Sequence, residues 1–283
     1  MILDGKQLAT QIKLDLQQQV RSSGIVDKVG LAVVLVGDDF ASQTYVNNKV
    51  KACNLIGIQS VVHKLPATVS QNELIQLVEY LNNDDSVHGI LVQLPLPCHI
   101  ETQTVINHIL YTKDVDGLGQ RNVIGVLRGY DCLVPCTPQG IIRLVQSTGI
   151  DIKGKHAVVV GRSDIVGRPI AQLLLNANAT VTVCHSHTVD MAQIARTADI
   201  LIVAVGKSKL VDRSYVKCGA VVVDVGINRV DNKLCGDVDF DSVVDVAGYI
   251  TPVPGGVGPM TIAMLMHNVL KAYDISIRSR SQI

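Results

Sequence analysis

The stretch Ala157-Val-Val-Val160-Gly161-Arg-Ser163-Asp-Ile-Val-Gly167-Arg-Pro169 sets the architecture of the second half of the chain. Its apolar run reads as a buried strand, the following turn has a glycine at each end, and a helical pattern begins at the second glycine. Such a strand-turn-helix junction lets backbone N–H groups approach a pyrophosphate at a helix N-terminus, where the helix dipole favours negative charge. The pattern is G-x-S-x-x-x-G rather than the usual G-x-G-x-x-G, so spacing alone also fits a tightly packed turn without a ligand.

The next strand refines this reading. A site for NAD places a carboxylate about 20 positions downstream to hold the ribose hydroxyls. Here that place reads Val183-Cys184-His185-Ser186-His187, and the first acid is Asp190. A carboxylate there would repel a 2′-phosphate, so its absence, with Arg162 and Ser186 as donors, points to NADP. Taken singly, each of these polar residues also fits a solvated loop.

Working outward, the same cadence recurs on both sides. Before the turn, helical patterns at 6–22, 41–55 and 71–82 alternate with strand patterns at 31–36, 59–64 and 89–94. A loop-rich stretch, 111–138, follows. A helix at 137–148, strands at 156–160, 180–184, 200–205 and 220–225, and helices at 167–176 and 190–197 continue the series, and an apolar helix at about 260–272 closes it. Continuous apolar strands separated by helices predict an α/β fold with parallel sheets covered on both faces, in two domains divided within 111–138.

Composition narrows the function. The 283 residues carry 25 Lys plus Arg against 25 Asp plus Glu, so no basic surface for a nucleic-acid backbone is expected. Trp is absent and Phe occurs twice, which removes the stacking platforms of single-strand binders. No apolar run approaches the roughly 18 to 20 residues that would cross a bilayer. Seven cysteines without Cys-x-x-Cys pairs fit reduced thiols rather than a disulfide framework or a zinc site, and no metal is expected. Met1 to Lys6 show no basic and apolar leader, so a cytoplasmic location is expected.

A second polar constellation lies in the first half. Tyr45 and Lys49 are four apart and so share a helix face near the end of the first strand, the edge where ligands bind in open α/β sheets. An exposed lysine beside a half-buried tyrosine is the bland alternative. Gln93 interrupts the apolar run Ile90-Leu-Val-Gln-Leu94, where a buried amide needs a partner. Asp116, in Lys113-Asp-Val-Asp-Gly117, either makes an ordinary Asp-Gly turn or offers a carboxylate to paired donors of a heterocycle.

With these residues in view, the sequence resembles the bifunctional methylenetetrahydrofolate dehydrogenase and methenyltetrahydrofolate cyclohydrolase family. The resemblance spans nearly the whole chain. It rests on Ala41-Ser-x-x-Tyr45-Val-x-x-Lys49, Gly89-Ile-Leu-Val-Gln-Leu-Pro-Leu-Pro97, Lys113-Asp-Val-Asp-Gly117, Pro135-Cys-Thr-Pro138, Gly161-Arg-Ser163-x-Ile-Val-Gly-Arg-Pro169 and Pro252-Val-Pro-Gly-Gly-Val-Gly-Pro-Met-Thr261.

The resemblance implies a folate-binding catalytic domain at 1–136, with a C-terminal helix of about 260–283 packing back onto it. It implies an NADP-binding Rossmann-type domain at 137–259, an active-site cleft between the two, and a homodimer. The reactions would be oxidation of 5,10-methylenetetrahydrofolate with NADP and hydrolysis of the methenyl product to 10-formyltetrahydrofolate, a one-carbon supply for purine biosynthesis. By position, Lys49 would be the principal catalytic residue, Tyr45 would pack on the folate, Gln93 would bond the lysine or substrate, and Asp116 would hold the pterin. Substrate contacts would fall on Val92, Leu94, Pro254, Gly255, Gly256, Val257 and Gly258, and cofactor contacts on Gly161, Arg162, Ser163, Ser186 and Ile227. Two places depart from the family pattern: Asn122 is followed by Val123, Ile124 and only then Gly125, where the family reads Asn-x-Gly-x-Leu, and Tyr111 stands where proline is common. A monofunctional dehydrogenase and a non-catalytic binding module are the rival readings.

Overall fold

The computed structural model describes residues 1–231 and 233–280. The chain forms two compact units: Thr10–Cys136 with the C-terminal stretch from Ile262, and Met1–Ala9 with Thr137–Thr261. Helix α1 (Gly5–Ser22) runs from one set of residues into the other.

The first unit holds a parallel sheet of order β2-β1-β3, built from β1 (Gly30–Val36), β2 (Gln59–Leu65) and β3 (Gly89–Val92). Its helices are α2 (Phe40–Ile56), α3 (Gln71–Asn83), α4 (Thr102–His108) and α5 (Gln120–Arg128). The central strand β1 is buried along all but its first residue, as a strand flanked on both edges requires. Asp39 caps α2 by accepting from Ser42 N at 2.7 Å, and Ser70 with Glu73 forms a reciprocal capping box on α3. These caps fix where each helix starts relative to the preceding strand end.

Two expectations need correcting in this unit. Strand β3 ends at Val92, not Leu94: Gln93 N still donates to Val34 O at 2.8 Å, but Pro95 has no N–H with which to prolong the ladder. The stretch 111–138 is not all loop, because it contains α5. Its apolar pattern is inverted. Asn122, Gly125 and Val126 face inward while Val123, Ile124 and Leu127 are exposed, so burial follows contacts that hydrophobicity does not announce.

The second unit is a five-stranded parallel sheet of order β10-β7-β6-β4-β5. In chain order its elements are α6 (Cys136–Ser147), β4 (His156–Val160), α7 (Gly167–Asn176), β5 (Thr180–Cys184), α8 (Met191–Ala195), β6 (Ile200–Val203) and β7 (Val221–Asp224). The hairpin strands β8 (Asn228–Val230) and β9 (Lys233–Cys235), α9 (Phe240–Val243), β10 (Tyr249–Ile250) and the start of α10 (Val257–Arg280) follow. Helix α10 begins earlier and ends later than the 260–272 expected, and residues 281–283 of the longer 260–283 segment lie outside the described residues. The core is aliphatic: Val158, Val160, Leu201, Val203, Val222 and Ile250 are fully enclosed. From β4 the strand order runs to β5 on one side and to β6 and β7 on the other, which puts the reversal beside the C-terminal ends of β4 and β6. Among the described residues no helix is long and apolar enough to cross a membrane.

Candidate active site

Lys49 is buried on α2, with 5% of its surface exposed. Its Nζ donates to Gln93 Oε1 at 2.9 Å and sits 5.5 Å from the centroid of the Tyr45 ring. Gln93 cannot reverse its amide without loss, since its Nε2 donates to Leu94 O at 2.7 Å. The acceptor of the lysine among the described residues is therefore a neutral amide. Burying a lysine side chain with a neutral amide as its direct acceptor is costly, and packing does not require it. Among the described residues Nζ has no second hydrogen-bond partner, which leaves capacity for a ligand.

Asp116 belongs to the same group. Burial, then its negative charge, raises the Tyr45 hydroxyl above its ordinary range. Cys136, enclosed behind it, is pushed well up by burial first and by Asp116 next, while the Lys49 charge acts in the opposite sense. Tyr45, Lys49, Gln93 and Asp116 thus converge in the first unit, with Val92 buried and Leu94 half-buried beside Gln93. The loop that carries Asp116 is organised by two buried residues not foreseen in the sequence. Asp114 Oδ1 and Oδ2 accept from Gly117 N at 3.1 Å and Gly119 N at 2.8 Å, and burial raises its carboxyl. Asn122 donates to Asp114 Oδ2 and to Tyr111 O, each at 2.9 Å. The two departures from the family pattern, Tyr111 and the Asn122 segment, are therefore in direct contact.

In the second unit, Gly161 ends β4 with φ of 124°, and a Cβ on it would overlap the Ala204 carbonyl oxygen at the end of β6. Ser163 Oγ accepts from Gly167 N at 3.3 Å, and the N-cap position, Val166, supplies no side-chain cap. Arg162 and Ser163 are exposed on this turn, Ser186 is exposed beyond β5, and Ile227 is 59% exposed beyond β7. Partial desolvation and then the Arg162 charge lower His185, which places Arg162 near the Ser186 turn. The turn thus presents backbone donors and a cation at a helix N-terminus, which fits a phosphorylated dinucleotide.

Pro254, Gly255, Gly256, Val257 and Gly258 lie in the second unit at the start of α10, so the substrate set proposed from the sequence is divided between the units. Gly256 also has a reason of its own to be glycine: a Cβ would come within 2.6 Å of Pro252 O.

Two buried carboxylates in this unit escaped the sequence reading. Asp224 accepts from Gly226 N at 3.0 Å, Asp237 N at 2.9 Å and Val238 N at 2.9 Å. Asp237 accepts from Val205 N at 2.7 Å, Gly206 N at 2.9 Å and Asn228 Nδ2 at 2.9 Å. Together they hold the ends of β6 and β7 and the segment that presents Ile227. The one signal available beforehand was a carboxylate ending the apolar strand Val221-Val-Val-Asp224.

Fold and site define a class: a two-unit α/β protein with a dinucleotide turn at a sheet reversal and a buried lysine at the strand ends of a second sheet. The chain belongs to the tetrahydrofolate dehydrogenase/cyclohydrolase family, whose catalytic-domain model matches residues 3–116 and whose NAD(P)-binding-domain model matches residues 135–277. It is 57% identical over 275 residues to the bifunctional protein FolD of Listeria innocua, covering 96% of each chain. Among solved structures it is similar to the FolD dehydrogenase/cyclohydrolase of Campylobacter jejuni, with TM-score 0.93, 51% identity and coverage of 97% of this chain and 99% of that one. It is also similar to the Trypanosoma brucei enzyme, complexed with NADP cofactor and inhibitor, with TM-score 0.93, 40% identity and 98% coverage of each chain.

Burial pushes the Asp224 carboxyl from its ordinary 3.8 up to about 6. The folded chain then binds this proton more tightly than the unfolded one, so the group's contribution to stability is complete below about pH 3.8 and is lost as pH rises through about 6. The melting temperature of the protein minus that of Asp224→Asn should fall between about pH 4 and 6 and then level off. A difference that rises over that window would contradict the assignment.

Proposed function

We propose that this chain oxidises 5,10-methylenetetrahydrofolate to the methenyl form with NADP and hydrolyses the product to 10-formyltetrahydrofolate. Supporting this, relatives are named bifunctional FolD and methylenetetrahydrofolate dehydrogenase/cyclohydrolase, one of them complexed with NADP cofactor. The observation that carries the reading is the buried Lys49 Nζ, bound to Gln93 Oε1 at 2.9 Å and 5.5 Å from the centroid of the Tyr45 ring. In this reading the folate packs on Tyr45, its pterin donors pair with Asp116, and Val92, Leu94 and the 254–258 segment complete its contacts. Gly161, Arg162, Ser163, Ser186 and Ile227 hold NADP, and Arg162 and Ser186 take the 2′-phosphate. The expected domain roles, folate on 1–136 with the 260–283 segment and NADP on 137–259, then apply with one change: Met1–Ala9 group with the nucleotide unit and not with the folate unit. A homodimer in the cytoplasm is part of the same proposal.

When bound, NADP supplies the hydride acceptor, and the protein's share of that step is orientation and exclusion of water. Hydrolysis needs more. Water adds to the methenyl carbon and loses one proton to give a neutral carbinolamine. As the carbon–nitrogen bond breaks, the ring nitrogen takes up a proton and the hydroxyl proton leaves to solvent, so a formyl carbonyl forms and one proton is released overall. Lys49, as an amine, takes the first proton and, as an ammonium, returns it, while Gln93 Oε1 holds Nζ in place throughout. Tyr45 supplies an apolar face and a ring quadrupole that tolerates the positive charge of the methenyl group.

Purified protein supplied with methylenetetrahydrofolate and NADP should form both products. Methenyl accumulation without formyl product would identify a monofunctional dehydrogenase instead. Lys49→Met should lower hydrolysis by about 10² or more and dehydrogenation much less, and undiminished hydrolysis would remove Lys49 from the mechanism. Arg162→Ala should raise KM for NADP about tenfold with a far smaller effect on NAD. Equal losses for both coenzymes would move the 2′-phosphate elsewhere.

A further inference from the structure

Asn268 sits on α10 and is completely buried. Its Nδ2 donates to Val115 O at 2.9 Å and to Val134 O at 2.8 Å, and lies 3.6 Å from Cys136 Sγ. Its Oδ1 has no hydrogen-bond partner among the described residues. An amide whose oxygen is orphaned in the core is a poor choice for packing, since the neighbouring helix positions Met264, Leu265, Val269 and Leu270 are all apolar and buried. What the helix retains by carrying it is a pair of donors.

Both acceptors flank the site described above. Val115 immediately precedes Asp116, and Val134 leads into Cys136, whose Sγ donates to the same Val115 O at 3.3 Å. On the other side of Asp116, Gly117 has φ of 69°, and a Cβ there would come within 2.6 Å of Leu133 O and 2.7 Å of Pro135 N. Asn122 Oδ1 in turn accepts from Leu133 N at 3.3 Å. The 115–117 and 133–136 segments are therefore pressed together, and the Asn268 amide bonds the backbone of both.

We propose that Asn268 is a positioning residue for substrate binding: its amide clamps the two backbone segments around Asp116 and so sets where that carboxylate meets the pterin. The inference rests on the assignment of Asp116 to the substrate. Asn268 does not touch the substrate and acts through Asp116.

The test is a double-mutant cycle on the full-length enzyme, with KM for methylenetetrahydrofolate, the dissociation constant for NADP and the melting temperature as readouts. Asn268→Leu should raise the folate KM about tenfold, on the scale of a lost buried hydrogen bond, and leave NADP binding within about twofold. Asp116→Ala should raise the folate KM as well, and the double variant should be no worse than Asp116→Ala alone. Additive losses, or a lower melting temperature with unchanged folate KM, would reduce Asn268 to a structural residue and overturn the proposal. An Asp116→Ala enzyme with normal folate KM would sink the Asp116 assignment, a separate failure seen in that single variant. Should Asn268→Leu not fold, Asn268→Asp keeps the volume, with one donor when protonated and none when ionised. Its folate KM relative to the parent should rise with pH, and a pH-independent ratio would overturn the clamp.

Discussion

The burial of one lysine amino group governs the first unit. Lys49 is held at 5% exposure with a neutral amide as its acceptor. The Asp39 cap starts α2 where Tyr45 and Lys49 face the strand ends, and Pro95 stops β3 where Gln93 can meet Nζ. A carboxylate as direct partner would have paid the desolvation cost more fully but would also have occupied the donors. An amide orients the lysine and leaves its remaining hydrogen-bonding capacity for a ligand.

The second unit solves a different problem with similar means. A pyrophosphate at a strand end needs backbone N–H groups turned outward, and the loops supplying them need internal anchors. After β6 and β7 the loops are anchored by Asp224 and Asp237, each of which accepts three N–H hydrogen bonds. In both units, buried polar groups organise the loops while the aliphatic strands supply the stability.

The α/β alternation was readable because buried parallel strands leave continuous apolar runs, as in Ala157–Val160 and Leu31–Val36. The glycine turn was readable because its φ and the nearness of Ala204 O admit no side chain. Lys49 and Gln93 could be singled out as polar residues in apolar surroundings, although their bond spans 44 positions and only the fold brings them together. Asn122, Asn268, Asp224 and Asp237 were not legible, because each is placed chiefly by hydrogen-bond partners eight or more positions away that only the fold brings near. Helix α5 was missed for the same reason: its inward face is Asn122, Gly125 and Val126, while Ile124 and Leu127 point outward.

The most direct test of the account is a crystal structure of the protein with a stable methenyltetrahydrofolate analogue and NADP. The account predicts the pteridine against the Tyr45 ring, its donors on Asp116, and Lys49 Nζ within hydrogen-bond distance of the folate while still bound to Gln93 Oε1. A folate bound elsewhere, with Lys49 still sealed against Gln93 and touching no ligand atom, would contradict it.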